Sequence, residues 1–295
     1  MSDYKTYLEK ERYSQSTVSR YIYRLKDYET WCNKKRIEST QIDYKNLLQY
    51  IKYLQSKSWK AESINNQIRS VKLYFNYLNE SYIRLDNPAE DIIVKREKTK
   101  VLRNLLSSDE LEDLYYSYET QNINDLYFTA TAKRNKVITG LIVYQALNSK
   151  TLAKLELEHL QLYKGKIYVP STKKSNSRTL ELKSWQVIEL LEYINEYRPK
   201  IQKHLNLYNN NLFPLNSNQF NNILNAVTKK LKQTNYKVRN VSQLRASVIT
   251  VWLDKYNIRE VQDMCGHKYI GSTEKYQQDN LENLMEAINN FHPIN

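Results

Sequence analysis

Four short features in the second half of this 295-residue chain carry side chains that do chemistry: Lys173, the run Ser242-Gln-Leu-Arg245, the run Cys265-Gly-His267, and Tyr276, nine residues beyond that histidine. An arginine presents a planar fork of N–H donors that suits oxyanions, histidine titrates near neutrality, and lysine is a compact cation that can give up a proton. A phenol, with an ordinary pKa of about 10, becomes a nucleophile when neighbouring cations help its proton away. Taken singly, each has a plain structural explanation. Tyr276 is one of 26 tyrosines; Arg245 would serve as an ion-pair residue, His267 as a packed or capping histidine, and Lys173 as a solvated loop charge.

Other chemistries are excluded by what is missing. Only four glycines occur, so no G-x-G-x-x-G dinucleotide loop exists. Gly266 and Gly271 have the outer spacing of a phosphate loop, but Ser272 stands where its lysine belongs. Cys32 and Cys265 are far apart and lack a C-x-x-C partner, which points to neither a disulfide framework nor a zinc site and fits a reducing compartment. The four histidines are scattered, so no metal centre and no cofactor is expected. The first residues have no signal-peptide core, and no apolar run of about 18 residues follows, so the expectation is a soluble cytoplasmic protein with no membrane partner.

Charge narrows the partner. The chain carries 45 Lys and Arg against 32 Asp and Glu, a net charge of +13. Residues 1–100 hold 20 basic and 13 acidic side chains, and both halves are basic. Residues 201–250 hold seven basic residues and no acid: Lys203, Lys229, Lys230, Lys232, Lys237, Arg239 and Arg245. Basicity throughout, with local depletion of acid, is the electrostatic footprint of nucleic-acid binding.

These residues need elements to position them. Ser14, Ser16 and Thr17 offer caps for a helix through about Trp31, and Ser39 or Thr40 for a second that carries Leu47, Leu48, Ile51 and Leu54 on one face. A third runs from Ala61 to Leu78. Asp86-Asn87-Pro88 breaks it, and Lys95 to Lys100 is charged without periodicity, which sets a first domain at 1–94, a linker at 95–103 and a second domain at 104–295. Ser107-x-x-Glu110 is a capping box, and apolar residues at helical spacing predict a helix over 130–147. Residues 166–170 and 178–182 read as strands of a β-hairpin with a basic tip. Helices are expected over 184–198, 217–233 and 242–256, and a short terminal one over 281–291. The fold class is mainly α: a helical bundle, then a mixed, mostly helical domain with a small antiparallel sheet.

In this order the features resemble a tyrosine recombinase of the phage integrase class. Tyr7-Leu8, Thr17 to Tyr23, Ser63 to Arg69, Tyr74 to Leu78 and Asn87-Pro-Ala89 resemble the family's N-terminal core-binding domain. Met264-Cys-Gly-His267 through Tyr276 resembles its L-G-H box and nucleophile. The resemblance implies strand exchange on double-stranded DNA without metal or ATP. Tyr276 would attack a phosphodiester to give a 3′-phosphotyrosyl link and a free 5′-hydroxyl, Arg245 would grip the non-bridging oxygens, and His267 would donate to the same phosphate. Lys173 would protonate the leaving oxygen, with Lys174 as its neighbour. Contacts to DNA are expected from Lys174, Arg178, Lys229, Lys230, Lys237 and Arg239 in the second domain and from Arg69 and Lys72 in the first. The family also implies a homotetramer on DNA tied together by helix 281–291, a possible partner recombinase, and a bacterial, nucleoid-associated setting.

Two of six expected positions depart from the family. The G-L-R-x-x-E-L box aligns with Ala146-Leu-Asn-Ser-Lys-Thr-Leu152, so Asn148 replaces an arginine, and Ser242 replaces the histidine of H-x-L-R. Losing one donor to the transition state lowers a rate by roughly 10²–10³. Lys150 is the nearest candidate for a substitute cation, followed by Lys154 and Arg134. The alternatives are a relative that binds DNA without cutting it, as an accessory subunit, and a helical RNA-binding or architectural protein.

Overall fold

The structure is a computed structural model that describes residues 2–95, 104–121, 125–215 and 217–277. The chain divides into two compact units, 1–99 and 100–295. The expected terminal helix 281–291 lies outside the described residues.

Among the described residues the first unit has four helices: α1 (Ser2–Lys10), α2 (Gln15–Lys35), α3 (Tyr44–Ser56) and α4 (Ala61–Glu80). α1 adds to the three helices legible in the sequence, burying Tyr4 and Leu8 against the others. The cap of α3 is Asp43 rather than Ser39 or Thr40. Its carboxylate accepts from the Asn46 N–H at 2.7 Å, and the Asn46 side chain accepts in return from the Asp43 N–H. The core is unusually phenolic. Tyr4, Tyr28 and Tyr50 are buried beside Trp31 and Phe75. Tyr28 donates to Ser39 O at 2.9 Å, and Tyr50 accepts from Gln67 Nε2 at 2.8 Å, so these two rings bury their faces while their hydroxyls stay bonded.

In the second unit α5 (Ser108–Tyr116) opens on the expected capping box, with the Glu110 N–H donated to Ser107 Oγ at 3.2 Å. α6 spans Leu126–Val143, starting under an Asp125 cap and ending four residues before Leu147. The chain then turns through Ala146 at φ +49°, and Leu147 is buried from that turn rather than from a helix face. Beyond the short helix α7 (Ser149–Leu152), a three-stranded antiparallel sheet has the order β1 (Leu160–Gln161), β2 (Lys166–Val169), β3 (Arg178–Glu181). β2 and β3 form the expected hairpin with Lys166 opposite Glu181 and Val169 opposite Arg178; β1 is two residues long and has no signal in the sequence.

The helix expected over 184–198 is α8 (Ser184–Glu192), which continues through a π-helical turn at Tyr193–Tyr197 into α9 (Arg198–Leu205). Pro199 sits at the start of α9, where a missing N–H is harmless. α10 (Ser217–Thr234), α11 (Val241–Leu253) and α12 (Ile258–Cys265) follow, and residues 271–277 are again helical. α11 is buried on nearly all sides, Gln243, Arg245, Ser247 and Thr250 included, which makes it the central helix of the unit. Among the described residues no helix is long and apolar enough to cross a membrane.

Candidate active site

α11 delivers Arg245, which is 9% exposed. Its Nη1 donates to Ala146 O, at the turn where α6 ends, and its Nη2 donates to Cys265 O at 3.2 Å. The guanidinium therefore ties the Ala146 turn to the end of α12. The family's glycine position in that turn carries Ala146, and its left-handed backbone explains why a glycine is expected there.

α12 ends in a Schellman-type cap. Gly266 adopts φ +67°, its N–H donates to Asp263 O at 2.9 Å, and the His267 N–H donates to Gln262 O at 3.0 Å. The Gln262 side chain donates back to His267 O at 3.0 Å. His267 is thus fixed at both backbone ends.

The hairpin tip docks on this cap. Thr172 and Ser175 close a two-residue turn whose central residues are Lys173 and Lys174, both exposed. Ser175 pairs with His267 as an antiparallel bridge, and the Asn176 N–H donates to Gly266 O at 2.9 Å. The structure so seats the turn that carries the lysine pair on the cap that carries His267, about 90 residues away in sequence.

The protons of His267 follow from its partners. Its Nε2 lies 3.4 Å from Arg245 Nη2, and a guanidinium only donates, so Nε2 is the acceptor. Nδ1 then carries the proton and donates to the buried Thr273 Oγ1 at 2.9 Å. Burial, with Arg245 and Arg178 nearby, pushes the imidazole pKa down to about 4. Tyr276 lies in the 271–277 helix with its ring 6.1 Å from the imidazole, centroid to centroid, and within 7° of parallel. Burial pushes the Cys265 thiol up to about 11 against the pull of the two arginines, which leaves it an inert thiol at neutral pH.

The remaining expected residues fall into three groups. Ser242 is exposed in the first turn of α11, three residues and so about one turn ahead of Arg245. Asn148 caps α7, its side-chain oxygen accepting from the N–H groups of Lys150 and Thr151 at 3.0 Å each; Lys150 itself is exposed. Arg134 is buried elsewhere, bonded to Asn135 and facing Tyr118, Tyr127 and Tyr193.

Among the expected DNA contacts, Lys229, Arg239 and Arg69 are exposed. Lys237 pairs with Glu110 at 2.7 Å, Lys72 with Glu90 at 2.6 Å, and Lys230 sits 4.6 Å over the Tyr118 ring. Exposed pairs of this kind are weak and exchange readily for phosphate. Arg178 differs from the exposed contact expected of a hairpin residue, because it is only 8% exposed. Strand alternation explains this: Arg178 and Leu180 face inward, Thr179 and Glu181 outward.

A feature not singled out from the sequence lies in the first unit. Arg20 and Arg24 on α2, with Trp59, Lys60 and Asn66, line a groove. Arg24 donates to Asn66 O at 3.2 Å, and burial together with Arg20 and Arg69 lowers its pKa, so three guanidinium groups share one face. The i, i+4 spacing of Arg20 and Arg24 is the signal that would have found it.

Comparison with known proteins fits both units. The phage integrase family model matches residues 104–283, and that for the phage integrase N-terminal SAM-like domain matches 1–81. The chain belongs to the phage integrase family. Among its relatives, tyrosine recombinase XerD of Staphylococcus saprophyticus is 27% identical over 304 residues, covering 99% of this chain and 98% of its own length. The TnP I resolvase of Bacillus thuringiensis is 24% identical, covering 97% and 98%. The phage integrase fold is shared with XerH site-specific recombinase bound to difH substrate, at a TM-score of 0.68 and 17% identity over 92% of this chain and 81% of that one. A λ integrase dimer bound to a COC′ core site gives a TM-score of 0.64 at 14% identity, covering 94% of each chain.

Proposed function

We propose that this chain is a site-specific DNA recombinase that cuts and rejoins duplex DNA through a covalent link to Tyr276. The observation that carries this reading is the docking of the hairpin turn on the cap of α12. It seats the turn that carries Lys173 and Lys174 on the cap that carries His267, whose imidazole faces the Arg245 guanidinium and stacks with the Tyr276 phenol, and these side-chain types support phosphoryl transfer to tyrosine.

The phenol of Tyr276 loses its proton to solvent, and its oxygen attacks phosphorus while the bond to the 5′-oxygen breaks. The proton on that 5′-oxygen comes from Lys173, and the phosphate stays esterified to tyrosine. Arg245 gives up its bonds to Ala146 O and Cys265 O for the non-bridging oxygens. His267 has its proton on Nδ1 in the free site, so donation from Nε2 requires a second proton, which the arriving anion favours. Rejoining reverses these steps with a different 5′-hydroxyl.

DNA affinity draws on Lys229, Lys230, Lys237 and Arg239 in the second unit and on Arg20, Arg24, Arg69 and Lys72 in the first. It falls steeply with salt. The XerH and λ integrase structures contain DNA, and a further λ integrase structure is a tetramer on a Holliday junction. By analogy this chain works as an oligomer on two DNA sites, with residues 281–291 as the element exchanged between subunits.

A second reading, DNA binding without cutting, draws on Asn148, whose side chain is committed to a helix cap where the family places an arginine. Suicide duplexes tiling the DNA that flanks the gene separate the two. Wild type forms a covalent adduct and Tyr276→Phe does not; binding by wild type without any adduct supports the second reading.

A further inference from the structure

Arg178 is the one expected DNA contact that the fold takes out of solvent. Its Nε and Nη2 are buried and make no hydrogen bond, and it has no ion pair among the described residues. An arginine side chain is almost always held by a carboxylate or by carbonyls when it is buried, because an unpaired charge in the interior is strongly unfavourable. Arg198, buried in the same unit, shows the ordinary solution: its guanidinium donates to Asn209 O, Asn211 O and Gln202 Oε1. Arg178 has nothing equivalent.

Its location accounts for the difference. Its charge is coupled to the Arg245 guanidinium and the Cys265 thiol and is felt at His267. The guanidinium lies so close under the α12 cap that a Cβ on Gly266 would stand 2.5 Å from Nη1. Two guanidinium groups and a neutral imidazole thus gather at the cap, and among the described residues neither guanidinium has an ion pair. Such a cluster is incomplete until an anion arrives.

We propose that Arg178 supplies the positive charge that Asn148 does not: a buried cation behind Arg245 and His267 whose counter-charge is the phosphodiester bound at this site. It acts on the phosphate through its field and through those two side chains, as a positioning residue. This rests on the reading of the cluster as a phosphate site.

The test uses the full chain and three variants, R178K, R178M and Lys150→Ala. One probe is inorganic sulfate, titrated against chloride at matched ionic strength while the melting temperature is followed. The other is covalent capture on the suicide duplexes, with DNA binding measured alongside. Sulfate is expected to raise the melting temperature of wild type and R178K but not of R178M. R178M should melt higher than wild type in chloride alone, since an unpaired buried charge has been removed. It should capture DNA roughly 10²-fold more slowly at little-changed affinity, while R178K retains most of the rate.

Equal sulfate stabilisation of wild type and R178M overturns the proposal. So does a capture rate that Lys150→Ala abolishes and R178M leaves intact. Should R178M fail to fold, R178K carries the test alone: a cation in place must keep both sulfate response and capture, and loss of both overturns the proposal. If wild type captures no duplex but its sulfate response still depends on Arg178, the recombinase reading fails and the anion site stands.

Discussion

The imidazole of His267 and the phenol ring of Tyr276 lie nearly parallel, 7° apart in orientation and 6.1 Å between centroids, although nine residues and a helix start separate them. Tyr276 also packs on the apolar core of the second unit. The ring is therefore positioned by its faces. Tyr276→Phe should keep the fold within about 1 kcal/mol of wild type, whereas Tyr276→Ala should lose about 1–3 kcal/mol from lost burial. Neither should form an adduct with DNA. Urea unfolding beside covalent capture reads both effects, and an adduct from Tyr276→Phe would remove the tyrosine from its role.

The titration of His267 has a defined sign. Its folded pKa of about 4 lies below the ordinary imidazole value of about 6.5, chiefly through burial and then through Arg245 and Arg178. As pH falls, the unfolded chain takes up the proton first. The stability linked to this group is thus fully present above about pH 6.5 and is lost progressively down to about pH 4. Melting temperatures over that window should fall more steeply for wild type than for His267→Gln; parallel curves would show that the imidazole is not held neutral.

Gly266 is constrained twice, by its backbone at φ +67° and by Arg178 Nη1 and Asn176 O, 2.5 and 2.8 Å from where a Cβ would stand. Gly266→Ala combines the left-handed penalty of about 1–2 kcal/mol with an overpacking penalty of similar size. A loss of about 2–4 kcal/mol is expected by chemical denaturation. A variant as stable as wild type would mean that the hairpin does not sit on this cap.

Asn148 has a structural task of its own. Asn148→Ala should cost about 1 kcal/mol by leaving two N–H groups of α7 without their acceptor, and Asn148→Asp should restore it. Equal stabilities for Asn148→Ala and Asn148→Asp would show that the cap contributes nothing.

Where local chemistry decides an element, the sequence displays it. Ser107 and Glu110 form the box that their spacing announces, and the stripe from Ile64 to Leu78 lies on one buried face of α4. The ordered set of Arg245, His267 and Tyr276 marks a site because its members touch after folding. Other features depend on partners far away in the chain. β1 exists only because Leu160 finds Ile167, and α1, short and polar on average, is held by contacts to α2 and α4. Asp43 displaced Ser39 and Thr40 as the cap of α3 because the preceding turn, closed by Gln41 N–H to Glu38 O at 3.1 Å, and buried Ile42 delay the helix start. Arg178 shows the same dependence on the fold. Its charge suggested an exposed contact, yet its parity with Leu180 and Leu182 already put it on the inner face of the strand.

Hairpin tips are usually where a chain tolerates extra residues. Here the tip is keyed to α12 through Ser175 and Asn176, three and two residues ahead of Arg178. One residue inserted between Asn176 and Arg178 would invert the side of the sheet on which every later residue of β3 emerges, turning Arg178 outward and Thr179 inward. Homologues of this chain that keep a lysine at position 173 should therefore hardly vary in how many residues separate it from the strand.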